Sequence, residues 1–126
     1  MSQKIPVKKL LLVDDEKNSR LAIEEYLNTR GFEVSAVSDG ESAVELGLSM
    51  APGVLICDWL LPGEVGGLQV VSTLLDAFPK LVVLIVTGLP VAEVAEQVST
   101  LPIAGILSKP ASLATIEHTV HEALAD

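Results

Sequence analysis

The sequence predicts an α/β fold in which five parallel strands alternate with five helices. Short apolar runs rich in Val, Ile and Leu recur along the chain, and segments with helical spacing separate them. Hydrophobic residues make up 49% of the chain but aromatic residues only 3%, which is typical of a parallel sheet covered by helices on both faces. With 126 residues, the chain is expected to form a single domain over residues 1–126.

Two predicted strands and one helix open the chain. Leu10 to Val13 is the first apolar run, and Phe32 to Val37 is the second. Apolar residues recur at helical spacing between them. Asn18 is suited to cap this first helix, and Gly31 is suited to close it after its last turn.

The middle of the chain continues the alternation. Asp39 is suited to cap a second helix, and the pair Pro52–Gly53 stops that helix before the third strand, Val54 to Cys57. A third helix is expected to follow Gly66–Gly67 and to end at Phe78–Pro79.

The last part of the chain supplies two strands and two helices. Leu81 to Val86 is the fourth apolar run, and Ile103 to Leu107 is the fifth. The helix between them is predicted over roughly Val91 to Ser99, and the final helix is predicted to start near Ser112. No linker, repeat or low-complexity segment interrupts this order, so a doubly wound sheet follows.

Charge and composition exclude several classes of function. The net charge is -9, from 17 acidic and 8 basic residues, which argues against binding to nucleic acid. Lys4, Lys8 and Lys9 precede an apolar run too short for a signal peptide, and no run reaches the length of a membrane span. We therefore expect a cytoplasmic protein without membrane contact. Cys57 lies in an apolar run and is interpreted as a buried small hydrophobe.

Four of the predicted strands end in polar side chains. The carboxyl ends of parallel strands meet at one edge of a sheet, where ligands bind. The side chains expected at this edge are Asp14 and Asp15, Asp58, Thr87, and Ser108 with Lys109.

Three carboxylates at one edge need a cation. Two unit charges about 4 Å apart repel by about 4 kcal/mol at an effective dielectric constant of about 20. Mg²⁺ suits Asp14, Asp15 and Asp58 because it prefers oxygen ligands and is usually held by one or two carboxylates. Lys109 adds a positive charge, and Thr87 adds a hydroxyl donor. A carboxylate in these surroundings is suited to attack an activated phosphoryl group.

Four motifs in this order resemble those of bacterial response-regulator receiver domains. They are LLLVDDE at residues 10–16, DWLLP at 58–62, VTG at 86–88 and SKP at 108–110. The resemblance covers essentially the whole chain. It implies a flavodoxin-like sheet with strand order 2-1-3-4-5 and a cis peptide bond before Pro110.

The same resemblance implies a role for each site residue. Asp58 would be the phosphoacceptor, and Thr87 and Lys109 would bind the phosphoryl oxygens. Asp14, Asp15 and Asp58 would hold Mg²⁺ together with the backbone carbonyl of Leu60.

The resemblance also implies the partners. A sensor histidine kinase or a histidine phosphotransfer protein would supply the phosphoryl group, and a downstream protein or a fused output domain would receive the signal. The output would pass through the fourth helix, the fifth strand and the fifth helix. The chain is expected not to be an enzyme. A phosphohydrolase that turns over through an aspartyl phosphate, as haloacid-dehalogenase-like enzymes do, would need a second acid two residues after Asp58, where Leu60 stands. A receiver-like interaction module that works without phosphorylation is the alternative.

Three positions depart from the family pattern. Ile106 stands where receivers usually carry Tyr or Phe, so the usual coupling of the threonine to an aromatic ring is not available. We expect the signal to pass instead through the loop from Thr87 to Pro90 and the following helix. Leu60 and Leu89 stand where the family often places polar groups, so spontaneous dephosphorylation is expected to be slow.

Overall fold

The computed structural model describes residues 8–125 and contains one parallel sheet of five strands, with a helix after each strand. The strands are β1 (Lys8–Val13), β2 (Phe32–Val37), β3 (Val54–Asp58), β4 (Val82–Thr87) and β5 (Gly105–Ser108). The helices are α1 (Lys17–Asn28), α2 (Gly40–Met50), α3 (Gly67–Ala77), α4 (Val91–Gln97) and α5 (Leu113–Ala125). The strand order β2-β1-β3-β4-β5 confirms the predicted topology.

Alternate residues of the strands build two separate cores. On one face of the sheet, side chains such as Leu11 and Leu55 pack with α2, α3 and α4. On the other face, side chains such as Leu12 and Ile56 pack with α1 and α5. The strands β3 and β4 and the second half of β1 are buried on both faces, so they are largely apolar, whereas the edge strand β2 also carries the polar residues Glu33 and Ser35. Within residues 8–125, no helix combines the length and the apolar character needed to cross a membrane.

The prediction that Asn18 caps α1 was wrong. Glu16 is the N-cap, and its carboxylate accepts hydrogen bonds from the backbone N–H groups of Asn18 and Ser19. The helix also ends earlier than predicted, at Asn28, and Gly31 lies beyond it with a φ of 95°. A side-chain acceptor two or three residues before the free N–H groups satisfies them whether it is Asn, Asp or Glu.

Asp39 caps α2 as predicted. Its carboxylate accepts a hydrogen bond of 2.8 Å from the Ser42 N–H. Other boundaries differ from the prediction by one or two residues. The largest shifts are that β1 begins at Lys8 instead of Leu10, α4 ends at Gln97 instead of Ser99, and β5 begins at Gly105 instead of Ile103. The Ile103 N–H bonds locally to the Leu101 carbonyl, so that residue does not join the sheet.

Candidate functional site

The carboxyl edge of the sheet brings three carboxylates together. Asp14 follows β1, and Asp58 ends β3; both side chains are buried, while Asp15 is exposed. One oxygen from each of the three residues lies within 4.8 Å of the other two. The parallel register explains the closeness, since Val13 pairs with Cys57 and the next residue on each strand reaches the same edge.

Lys109 places a positive charge against this cluster. Its Nζ donates a 2.8 Å hydrogen bond to Asp58 Oδ2 and lies 3.9 Å from Asp14 Oδ1. The Lys109 backbone N–H bonds to the Thr87 carbonyl at 2.8 Å, which fixes the start of the loop after β5. The peptide bond between Lys109 and Pro110 is cis, as the resemblance implied.

The two charges influence each other's protonation. Burial raises the pKa of Asp58 above its ordinary value; Lys109 opposes this effect, whereas the nearby Asp14 adds to it. For Lys109, partial burial acts to lower the pKa, but the hydrogen bond to Asp58 and the three carboxylates outweigh burial and raise it. Lys109 is therefore a charged ammonium at neutral pH.

Local hydrogen bonds hold Asp14 in place. Its N–H bonds to the Val37 carbonyl at 3.1 Å, and its Oδ1 accepts from the Glu16 N–H at 2.9 Å. Arg20 donates to the Asp14 carbonyl at 2.9 Å from the first turns of α1. Sequence reasoning missed Arg20. The spacing of six residues between Asp14 and Arg20 does not predict a contact, because the contact depends on the angle between α1 and the loop that precedes it.

Thr87 ends β4 beside Asp58, but its hydroxyl is not directed at the acidic cluster. The side chain is fully buried, and its Oγ1 accepts a 2.9 Å hydrogen bond from the Leu89 N–H. Within the described residues, this hydroxyl bonds to neither Asp58 nor Lys109. Side chains alternate along β4, which places Thr87 on the face of α2, α3 and α4.

The loop after β3 starts at the site. Trp59 is buried with 5% exposure, and its N–H bonds to the Val86 carbonyl at 3.3 Å. The side chain of Leu60, in contrast, is 61% exposed. The loop returns at Gly67, whose N–H bonds to the Trp59 carbonyl at 3.2 Å.

An apolar cavity of about 420 Å³ adjoins the acidic cluster, between α1 and α5. Asp14, Asp58 and Lys109 supply polar parts of its wall. The apolar wall includes Leu12, Ile23, Ile56, Val86, Ala111 and Ile116. The carboxylates therefore border a largely apolar wall on one side, which lowers the local dielectric constant and strengthens their interaction with a cation.

The donor set fits Mg²⁺ on chemical grounds. All three clustered side chains offer carboxylate oxygens, and within residues 8–125 no histidine joins them and the sole cysteine is buried in the core. Mg²⁺ takes oxygen ligands, while Zn²⁺ prefers nitrogen and sulfur. Asp14, Asp15 and Asp58 are the residues that would hold the ion.

Comparison with known proteins gives matches over most of the chain. The sequence model of one protein family, the response regulator receiver domain, matches residues 10–121 of this chain. A cyclic di-GMP phosphodiesterase of Thermotoga maritima is 30% identical over 115 residues, and the transcriptional activator protein ExaE of Pseudomonas putida is 31% identical over 118 residues. These matches cover 91% and 92% of this chain but only 30% and 55% of those proteins.

A solved structure is similar over nearly the whole of both chains. The response regulator receiver protein from Sinorhizobium medicae is 29% identical and superposes with a TM-score of 0.85. The match covers 94% of this chain and 95% of that one. Both the sheet order and the placement of the helices thus follow a known architecture.

Proposed function

Since this chain belongs to the response-regulator receiver family, we propose that Asp58 accepts a phosphoryl group from a phosphohistidine on a cytoplasmic kinase or phosphotransfer protein. The chain acts in two-component signalling, as its family does. The observation that carries the assignment of Asp58 is the 2.8 Å hydrogen bond from Lys109 to this buried carboxylate, within a cluster of two further acids.

The proposed transfer is a single displacement at phosphorus, in which Asp58 takes the place of the donor imidazole. A carboxylate oxygen of Asp58 forms a bond to phosphorus while the P–N bond of the donor breaks. The imidazole nitrogen keeps the electron pair of that bond and takes a proton from solvent. Lys109 stabilises the phosphoryl oxygens once they arrive, because its ammonium already lies within hydrogen-bond distance of Asp58.

Two further groups complete the proposed site. Mg²⁺ held by Asp14, Asp15 and Asp58, with the Leu60 carbonyl, would neutralise charge on the phosphoryl group. Thr87 would donate its hydroxyl to a phosphoryl oxygen after its side chain turns toward the acidic cluster; in the present orientation the hydroxyl oxygen accepts from the Leu89 N–H. The support for Mg²⁺ is the all-carboxylate donor set.

The proposed partners follow from the family. A histidine kinase or phosphotransfer protein supplies the phosphoryl group, and a separate target or an attached output domain receives the signal. We propose that residues 1–126 form one receiver domain that is modified once per transfer instead of turning over a substrate. The phosphodiesterase activity in the name of the Thermotoga relative forms no part of this proposal, because this chain spans only 30% of that protein.

Trp59 makes the proposal testable without an identified kinase. This residue is the only tryptophan and directly follows Asp58. We expect its fluorescence to change on addition of Mg²⁺ and again on addition of acetyl phosphate, with one phosphoryl group detected by intact mass.

Asp58→Asn is the matched control. It keeps the size of the side chain but removes the nucleophilic carboxylate, so at least a hundredfold loss of phosphorylation is expected. Equal labelling of this variant and the wild type would overturn the assignment of Asp58. A chain that folds but takes no phosphoryl group with Mg²⁺ present would favour the phosphorylation-independent interaction module.

A further inference from the structure

A groove of about 610 Å³ lies between α2 and α3, away from the acidic cluster. Its wall combines apolar side chains with two glutamates and three small or amide side chains. The lining residues are Glu41, Val44, Glu45, Val65, Leu68, Gln69, Ser72 and Thr73. The groove contains none of the residues assigned to phosphoryl transfer.

The two glutamates of the groove form no ion pair with any of the residues that the structure describes. Glu41 and Glu45 lie one turn apart on α2. Like charges at this spacing destabilise a helix. The negative charge of Glu41 is partly compensated because this residue lies in the first turn, where the helix dipole favours an acid. Glu45 lies beyond that turn and has no such compensation.

The chain segment that contains the groove has acidic but no basic residues, although Lys9 of β1 donates a hydrogen bond to the Met50 carbonyl at the end of α2. The sequence has no lysine or arginine between Arg30 and Lys80, a stretch that includes all of α2 and α3. The same stretch contains the acids Glu33, Asp39, Glu41, Glu45, Asp58, Glu64 and Asp76. A nucleic acid or an anionic lipid surface would be repelled, whereas a cationic partner would be attracted.

Apolar side chains lie beside the carboxylates. Val44 and Val65 are partly buried in the groove, and Leu68 keeps 39% of its surface exposed. Leu48, one turn after Val44 on α2, is 48% exposed. Large apolar side chains exposed near one another are typical of an interaction surface.

The groove has a rigid frame. At Gly47, an added Cβ would lie 2.7 Å from a methyl carbon of Leu74, so α2 packs close against α3. At Gly40, an added Cβ would collide with the Val65 carbonyl of the loop before α3. Close packing at both glycines holds the two walls in a preformed arrangement, which lowers the entropic cost of binding.

We propose that this α2–α3 groove binds a cationic amphipathic helix of a partner protein. One turn of an α-helix is about 5.4 Å long. Lys or Arg side chains one turn apart on the partner helix therefore match the spacing of Glu41 and Glu45 on α2. Leucine-like side chains on its apolar stripe contact Val44, Val65 and Leu68. The charge and the apolar surface are thus both complemented by one ligand.

The probe for this proposal is a peptide of about 18 residues composed of Leu, Ala and Lys, with its leucines on one stripe and lysines beside it. The whole ¹⁵N-labelled chain is titrated with this peptide while amide shifts are recorded. We expect saturable shifts on α2, α3 and residues 62–66, and weaker binding at high salt. A scrambled peptide of identical composition tests whether charge alone suffices.

Variants locate the contact. Replacing Glu41→Gln together with Glu45→Gln is expected to raise the Kd about tenfold, and Leu68→Ser is expected to raise it about fivefold. Glu93→Gln with Glu96→Gln on α4, and Leu21→Ser on α1, are the matched controls and should leave the Kd unchanged. Circular dichroism and the Trp59 response to acetyl phosphate show that each variant is folded.

Three outcomes would overturn the proposal. The first is equal binding of the scrambled peptide, and the second is a Kd that the groove variants leave unchanged. The third is concentration-dependent self-association in sedimentation that Leu68→Ser abolishes, since a second copy of this chain would then occupy the groove. None of these outcomes bears on phosphorylation of Asp58.

Discussion

Lys109 determines the balance of charge at the acidic cluster. Three carboxylates within 4.8 Å of one another would repel strongly in a partly buried site, and the ammonium offsets part of that repulsion through its contact with Asp58. Removing one partner of such a pair leaves the remaining charge uncompensated. The same lysine therefore stabilises the resting site and is suited to bind an incoming anion.

Cys57 shows how burial separates structural from reactive side chains. It directly precedes Asp58, yet its side chain is fully buried on the opposite face of β3, in the core with α2 and α3. Burial, with a smaller contribution from Asp58, raises the pKa of the thiol far above its ordinary value. A thiol that stays protonated is a poor nucleophile, which agrees with its interpretation as a small hydrophobe.

Leu89 is the residue we expect to prolong the lifetime of the phosphorylated state. Its backbone N–H bonds to Thr87, and its partly buried side chain packs on the core with α3 and α4. An apolar side chain cannot orient an attacking water molecule. We expect Leu89→Gln or Leu89→Glu to speed loss of the phosphoryl group roughly tenfold or more, as measured by the decay of labelled protein.

Leu89→Met is the control for this prediction, because it keeps an apolar side chain of similar size. Its decay rate should match that of the wild type. A polar variant that decays no faster than the methionine variant would contradict the proposed role of Leu89.

At the scale of single elements, the start of α3 depends on a glycine. An added Cβ at Gly67 would lie 2.8 Å from the Trp59 carbonyl oxygen and 3.0 Å from the Asp58 carbonyl oxygen. Backbone atoms cannot move aside as a flexible side chain can. We expect Gly67→Ala to lower the free energy of unfolding by about 1–3 kcal/mol in urea denaturation.

The neighbouring Gly66 provides a matched comparison. A Cβ there meets no atom within 4 Å, and its φ of -88° suits any residue. Gly66→Ala should therefore cost less stability than Gly67→Ala. Equal losses for the two variants would show that the close approach to Trp59 is not the cause.

The N-terminus of α2 depends on the charge of Asp39. Hydrogen bonds from the Ser42 N–H and hydroxyl lower the pKa of Asp39 below its ordinary value of 3.8. A lowered pKa in the folded state means that the cap contributes stability above about pH 3.8 and loses it as the pH falls through the folded pKa.

Thermal unfolding at a series of pH values tests this cap. We expect Asp39→Ala to lower Tm by several degrees at pH 7, and the difference from wild type to shrink in acid. Asp39→Asn retains an acceptor and should lose less than Asp39→Ala. A difference that stays constant down to pH 2 would contradict a contribution from the carboxylate charge.

At the scale of the whole molecule, hydrogen bonds link the site to α4. The Thr87 hydroxyl accepts from the Leu89 N–H, and the Pro90 carbonyl accepts from the Glu93 N–H at 3.0 Å at the start of α4. Ile106, which stands where receivers usually carry Tyr or Phe, packs on the same core. It has neither an aromatic ring nor a hydroxyl with which to follow a movement of Thr87. A turn of Thr87 toward a phosphoryl group would release Leu89 and shift the first turn of α4.

We therefore expect phosphorylation to change amide chemical shifts in residues 87–90 and throughout α4. Spectra of the ¹⁵N-labelled chain before and after addition of acetyl phosphate with Mg²⁺ measure this, and Asp58→Asn serves as the control. Shifts confined to the residues around Asp58 would contradict a signal path through α4.

Much of the fold was predictable because it depends on local patterns. Apolar runs and helical spacing indicated all ten elements, and Asp39 was identified as a cap from its position alone. The strand order was implied by the resemblance of four motifs to receiver domains, and the structure confirms it. The ends of the elements were less predictable. The cap of α1 is Glu16 and not the predicted Asn18, and Ile103 lies outside β5 because its N–H bonds to the Leu101 carbonyl.

The amino-acid order alone thus established the alternation of strands and helices and the convergence of Asp14, Asp58 and Lys109, since neighbouring parallel strands always end at a common edge. It did not reveal the buried orientation of the Thr87 hydroxyl, the contact of Arg20 with Asp14 or the acidic groove between α2 and α3. The Arg20 contact and the groove depend on which faces of separate segments meet and how closely they pack, and no local pattern in the chain specifies that. The Thr87 hydroxyl accepts a local bond from the Leu89 N–H, but the conformation of that loop depends on how Leu89 packs on the core.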